Sequence, residues 1–132
     1  MISCIIPARA DDTPQLDFMI TARSISGHVS DGFVIGKGRV TYRPSHNGFV
    51  VWSNALSAGT PQTYIIKGQR NSRNHIRVKI ESENGVPDTE RGTGILILTG
   101  DDYESFVVAV DGGQQISADK YDVQVNASVI FP

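Results

Sequence analysis

The last twelve residues constrain the fold of this chain more than any other stretch. From Tyr121 to Phe131 every odd position is apolar, and polar residues occupy positions 122, 124, 126 and 128. A period of two places the apolar side chains on one face of a β-strand, which no helix could do. Edge strands are usually blunted by charge, proline or a bulge, but this strand stays regular until Pro132. We interpret its edge as a docking site for a strand from another polypeptide.

Size and charge limit the classes of protein to consider. The 132 residues suffice for one domain with a modest core. A formal net charge of −2 argues against a nucleic-acid binder, and we expect no nucleic-acid partner. The sequence contains no apolar run of about 18 residues that would predict a membrane-spanning helix.

The first ten residues resemble the end of a signal peptide. The run Ala-Arg-Ala at residues 8–10 fits the small-x-small pattern of a cleavage site. We therefore interpret residues 1–10 as a signal-peptide remnant cleaved after Ala10, and residues 11–132 as a single domain without cysteine. The alternative is a strand-like or disordered N-terminus of the mature chain. If retained, it would alternate as a poor donor strand with apolar positions at Ile2, Cys4, Ile6 and Ala8.

The rest of the sequence consists of short apolar or alternating runs separated by glycine, proline and asparagine turns. This pattern predicts an all-β sandwich of about eight strands, with an open barrel as the alternative. Gly36 and Gly38 inside the second strand predict a bulge or a close backbone approach. Residues 84–93 are predicted as the longest loop. The predicted strands cover residues 16–22, 33–42, 49–52, 63–67, 75–81, 95–98, 106–110 and 121–132.

The first and last predicted strands each offer an apolar face, and both lie at chain ends. One further strand between them would complete the sandwich. Burying five large apolar side chains there would contribute roughly 8 to 12 kcal/mol gross, against a typical domain stability of about 5 to 15 kcal/mol. We therefore expect the isolated chain to be unstable, chaperone-bound or strand-swapped with a copy of itself.

Several dispersed motifs carry a resemblance to a known family, over residues 16–132. The C-terminal pattern Asp111-Gly112-x-Gln114-x-Ile116 is similar to that of chaperone–usher pilus subunits. Further motifs resemble the tip subunits of AfaD-type invasins and Saf-type atypical fimbriae. They are Asp31-Gly32, Gly38-Arg39-Val40, His46-x-Gly48-Phe49-x-Val51-Trp52-x-Asn54, Tyr64 and His75-x-Arg77-Val78.

The resemblance implies an incomplete immunoglobulin-like β-sandwich that lacks its final strand and is completed by a donor strand from another polypeptide. It implies secretion through the periplasm with a periplasmic chaperone, transfer at an outer-membrane usher, and a neighbouring pilus subunit that donates an N-terminal strand. The chaperone would grip the carboxylate of Pro132. The donor-strand groove would be lined by Leu16, Phe18 and Ile20 on one wall and by Val123, Val125, Ala127, Val129 and Phe131 on the other.

Two features refine this resemblance. Tyr42 and Val129 stand where AfaD-type subunits usually carry cysteines, so we expect no disulfide, as in a Saf-type branch. After Ala10, only five mostly polar residues precede the first predicted strand. Such a subunit could accept a donor strand but could not give one, which favours the tip of a fibre.

No catalytic motif is present, and we expect neither an enzyme nor a metal or other cofactor. One basic cluster could contact a receptor, either a protein or a glycan, although a solvated hairpin is the more ordinary explanation. It consists of Lys67, Arg70, Arg73, His75, Arg77 and Lys79.

The sequence thus predicts a tip adhesin or invasin of a bacterial fimbria, displayed at the cell surface and attached to host cells. One alternative is a polymerising structural pilin. The other is a free-standing secreted carbohydrate-binding sandwich.

Overall fold

A computed structural model of the chain describes residues 2–5 by their backbone and residues 13–22 and 24–132 in full. These residues form thirteen β-strands and no helix, so none of them provides a helix that could cross a membrane. The strands are β1 Ile2–Ile5, β2 Gln15–Ile20, β3 Gly27–Val29, β4 Val34–Thr41, β5 Gly48–Trp52, β6 Leu56–Ser57, β7 Thr63–Lys67, β8 His75–Glu81, β9 Gly85–Pro87, β10 Ile95–Leu98, β11 Tyr103–Val110, β12 Gln114–Ile116 and β13 Val123–Ile130.

Two sheets pack face to face around one core, which confirms the predicted sandwich. The first sheet has the order β1-β13-β5-β10-β9, and the second has the order β2-β4-β11-β8-β7-β6. A separate ribbon pairs β12 with β3. The inward side chains of both sheets meet in a single cluster of buried apolar residues, among them Tyr64, Phe49, Phe106 and Ile97. Every described strand pair is antiparallel except β1 with β13.

All eight predicted strands are present, and five short strands were not predicted. One of these, β9, lies inside the stretch predicted as a loop, so that prediction was wrong over Gly85–Pro87. Among the described residues β9 pairs only with β10, and Pro87 is tolerated because it lies at the edge of the sheet. The other four are β1, β3, β6 and β12.

Both predictions for the glycines of β4 are confirmed. The register of β4 against β11 skips Ile35, which forms a bulge next to Gly36. A Cβ atom at Gly38 would overlap the ring of Phe106, and one at Gly36 would overlap the ring of Phe18. The two rings stack with centroids 5.9 Å apart. The glycines therefore make room for an aromatic pair that reaches from the core to the edge strand β2.

Asp119 fastens the loop at residues 68–74 to the segment that leads into β13. Its carboxylate accepts hydrogen bonds from the backbone N–H groups of Arg70 at 2.9 Å and Asn71 at 3.1 Å. The side-chain amide of Asn74 at 3.0 Å and the N–H of Lys120 at 2.6 Å also donate to it. The N–H of Arg70, followed by the other donors, lowers the pKa of Asp119 to about 2. The ionised carboxylate is therefore the form that holds the loop.

We predict that this carboxylate makes folding stability sensitive to acid. Because the pKa of Asp119 is about 2 in the folded protein and 3.8 as the ordinary value, its contribution is complete above about pH 4 and is lost as the pH falls towards 2. Asp119→Asn should lower the urea midpoint at pH 7 and flatten its pH dependence between pH 4 and 2. Asp102→Asn is the control, since Asp102 is exposed and its carboxylate forms no hydrogen bond within the described part of the chain. Equal effects of the two substitutions would contradict the role of Asp119.

A second prediction concerns the aromatic pair over β4. Gly38→Ala should destabilise the fold by about 1 to 3 kcal/mol, because Phe106 is buried and cannot move away from the added methyl group without cost. Gly100→Ala is a matched control, since the nearest atom to a Cβ there is 3.8 Å away. Thermal unfolding of both variants measures the difference. An unchanged melting temperature for Gly38→Ala would contradict the prediction, because it would show that Phe106 moves away from the added methyl group without cost.

Candidate functional site

Strand β2 is the edge of the second sheet, and β13 is next to the edge of the first sheet, outside which only the short strand β1 lies. The two strands β2 and β13 are on the same side of the sandwich and approach each other. On β13 the four inward residues of the predicted groove are buried: Val123, Val125, Ala127 and Val129. On β2 Leu16 is buried, whereas Phe18 and Ile20 are only half-buried and pack against the core. The structure thus brings together seven of the eight residues that we predicted to line the groove.

An apolar cavity of about 570 Å³ lies between these strands, at the end where β2 finishes and β13 begins. We call it the groove cavity. Its walls include Phe18, Ile20 and Val123, as predicted, but also three isoleucines that we did not predict: Ile25, Ile35 and Ile76. They come from a loop, from β4 and from β8, and only the alternation of β8 marked Ile76 as inward-facing. Arg70, Asp119, Lys120 and Tyr121 supply the polar part of the lining.

The outer edge of β13 is only partly open. The backbone of β1 pairs with it in parallel, from Ile2 opposite Val123 to Ile5 opposite Asn126. Residues 127–130 pair with β5 on one side and, within the described chain, with no strand on the other. We expected this edge to be open along its whole length. Residues 2–5 instead pair with its first half, and no described strand pairs with the outer side of its second half.

Phe131 does not join the groove, so this prediction was wrong. Strand β13 ends at Ile130, and the alternation of inward and outward side chains ends with it. The Phe131 side chain is 47% exposed and packs edge-on against Tyr42, with ring centroids 5.9 Å apart. Pro132 is exposed beside it. The grip of a chaperone on its carboxylate stays a prediction.

His46 holds the turn at this far end of β13. Its Nδ1 lies 2.7 Å from the carbonyl oxygen of Pro44, and its Nε2 lies 2.7 Å from that of Asp101. The buried ring also packs on Phe49 at a centroid distance of 4.8 Å. The motif His46-x-Gly48-Phe49 therefore ties the turn before β5 to the loop before β11.

Within the basic cluster, for which a solvated hairpin was the favoured explanation, Lys79 is paired with acids, and contact with a receptor stays a prediction. Lys79 forms ion pairs with Asp31 and Glu81, each at 3.1 Å. These contacts raise the pKa of Lys79, chiefly through its hydrogen bond to Asp31. The N–H of Gly112 donates to Asp31 at 2.8 Å and is the main reason that the pKa of Asp31 is lowered. Glu81 is only two residues from Lys79, but Asp31 is distant in sequence, so no window around Lys79 could have revealed the contact with Asp31.

The other members of the cluster face different surroundings. Arg70 lines the groove cavity, whereas Arg73, His75 and Arg77 line a second, polar cavity of about 240 Å³. Lys67 is exposed and lines neither. Within the described ranges no three His, Cys, Asp or Glu side chains are grouped as metal ligands would be.

Comparisons with known proteins match most of the chain. The family model for the Enterobacteria AfaD invasin protein matches residues 25–127. Protein AggB of Escherichia coli is 24% identical over 114 residues, which cover 86% of this chain and 79% of AggB.

Two solved structures share the fold closely. The Salmonella SafD adhesin is 39% identical, with a TM-score of 0.86 over 89% of this chain and 84% of SafD. HdaB, the minor tip subunit of the E. coli Hda pilus, is 25% identical, with a TM-score of 0.83 over 90% of this chain and 84% of HdaB. The chain therefore belongs to the AfaD invasin family, and its fold is the incomplete immunoglobulin-like sandwich of a fimbrial subunit.

Proposed function

We propose that this chain is the tip subunit of a chaperone–usher fimbria, that a strand from the neighbouring subunit completes its fold, and that it attaches the bacterium to host cells. It acts by binding and not by catalysis. On its way to the cell surface it is held by a periplasmic chaperone and transferred at an outer-membrane usher.

The observation that carries the proposal is the apolar cavity between β2 and β13, beside the ends of the two sheets. Residues 127–130 of β13 expose backbone donors and acceptors along one side within the described chain. An added strand would satisfy these groups and cover the half-buried side chains of Phe18 and Ile20. Backbone pairing would supply affinity, and the apolar cavity would select the side chains of the incoming strand.

The relatives support the position at the tip and the role in attachment. SafD is described as an adhesin, and HdaB as a minor tip subunit of its pilus. Both cover about nine tenths of this chain, so the likeness extends over both sheets. A structural pilin that polymerises along the fibre is the other candidate. Strand β1 supports the polymerising pilin, because the first residues of this chain are able to pair beside β13.

The placement of β1 bears on assembly. If residues 1–10 are removed after Ala10, β1 leaves the edge of β13 and the groove is open along its length. If they are retained, residues 2–5 compete with an incoming donor strand for Val123–Asn126. N-terminal sequencing of the protein recovered from the cell surface decides between these cases, and we expect Asp11 as the first residue.

We predict that Val125→Asp prevents incorporation into fibres. Val125 is fully buried on the inner face of β13, so an unpaired carboxylate there costs several kcal/mol of desolvation. Gln124→Asp adds the same charge one residue away, on the partly exposed opposite face, and should assemble normally. Immunoblots of purified fimbriae measure incorporation, and urea unfolding reports stability. Normal incorporation of Val125→Asp would contradict the groove assignment.

Immunogold electron microscopy of intact fimbriae tests the position of the subunit. We expect label at the fibre ends, and loss of host-cell adherence when the subunit is deleted while fibres persist. Label along the whole fibre would instead support the polymerising pilin. Unchanged adherence after deletion would contradict the role in attachment.

A further inference from the structure

The polar cavity lies between the start of β8 and the strand β12, and no role has been assigned to it. Arg73, His75 and Arg77 contribute cationic or titratable side chains, and Asn74, Gln114 and Gln115 contribute amides. A glycine and a serine complete the lining, which contains no carboxylate and no aliphatic side chain. Its volume is about 240 Å³, separate from the groove cavity.

Hydrogen bonds fix the inner wall of this cavity before any ligand arrives. The side-chain oxygen of Gln114 accepts from the N–H of Arg77 at 2.9 Å. Its amide nitrogen donates to the carbonyl oxygens of Arg77 at 2.9 Å and Asp111 at 2.8 Å. The guanidinium of Arg77 donates to the same carbonyl of Asp111 at 3.3 Å. Arg77 and Gln114 are therefore held in place, and the guanidinium of Arg77 keeps donor groups to spare, whereas the amide of Gln114 already donates to the wall.

No described acid forms an ion pair with Arg73 or Arg77, and Asp111 contacts Arg77 through its backbone carbonyl. Asp31 is bound to Lys79 and to the N–H of Gly112, outside the cavity lining. Asp119 lines the groove cavity on the other side of the loop, where backbone amides and Asn74 occupy its carboxylate. Arg73 is exposed at the rim and forms no ion pair within the described residues. The cavity thus concentrates positive potential that attracts an anion.

We propose that the polar cavity binds the acidic group of a host glycan, namely a sugar that bears a carboxylate or a sulfate ester. Guanidinium groups match the geometry of both anions, and the surrounding amides suit the hydroxyl groups of a sugar ring. A protein partner is less suited, because interfaces between proteins depend on apolar or aromatic anchors and this lining has no aliphatic surface to receive one. The inference rests on the proposed attachment function and names the ligand class for it.

Titration of the full-length protein with 3′-sialyllactose, followed by NMR chemical shifts, tests this inference. We expect saturable shifts centred on Arg77 and Gln114, with lactose, which lacks the acid, binding at least tenfold more weakly. Arg73→Ala should weaken sialyllactose binding about tenfold. Arg43→Ala removes the same charge from an exposed residue that lines neither cavity, and should change affinity less than twofold.

A sulfated lactose, tested beside sialyllactose, distinguishes the two sources of the anion, and tighter binding of either supports the proposal. Equal binding of lactose, equal losses in both arginine variants, or binding to none of the sugars would overturn it. Tighter binding of a glutamate-rich peptide would point to an acidic protein instead and would also overturn it. Arg73→Ala should still enter fibres and label their tips, so a failure here is separate from a failure of the proposed function.

Discussion

The structure depends on the edge shared by β2 and β13, where two sheets end side by side. A strand inside a sheet satisfies backbone groups on both sides, and a sandwich must cover both inner faces. Here β13 carries four buried apolar residues, and among the described residues its outer side is paired only along its first half, by the backbone of residues 2–5. The stability of the domain is thus linked to whichever strand occupies that edge. This constraint links the alternation of apolar residues in β13 to assembly of the fibre.

The long strands were predictable because each is buried on one face, so apolar and polar residues alternate along its sequence. Strand β8 alternates strictly, and its observed bounds equal the predicted ones. The short strands show no such alternation. Gly27–Val29 and Gln114–Ile116 are strands because they pair with each other across more than eighty residues of chain. Gly85–Pro87 contains residues that exclude a helix without excluding an edge strand. Tertiary pairing, not local preference, defines these elements.

The same distinction applies to the candidate site: residues on an alternating strand were predictable, and contacts between distant segments were not. Val123, Val125, Ala127 and Val129 could be assigned to the groove because alternation fixes their direction. Phe131 could not, since the strand ends one residue earlier. The ion pair between Lys79 and Asp31 could not be predicted, because the order of charges in the sequence does not show which distant acid lies beside a basic residue. Asp31 reaches Lys79 from a turn beyond β3, and the loop at 68–74 directs Arg70 and Arg73 into different cavities.

The motifs that carry the family resemblance explain how two sites coexist at one end of the sandwich. One set of hydrogen bonds connects β8, β12 and the turn before β12. Its members come from distant parts of the sequence: Asp31, Arg77, Asp111 and Gln114. These ties build the wall of the polar cavity, and Asp119 holds the loop that separates it from the groove cavity. One loop, residues 68–74, thus contributes to both cavities, with Arg70 in the lining of the groove cavity and Arg73 in the lining of the polar cavity.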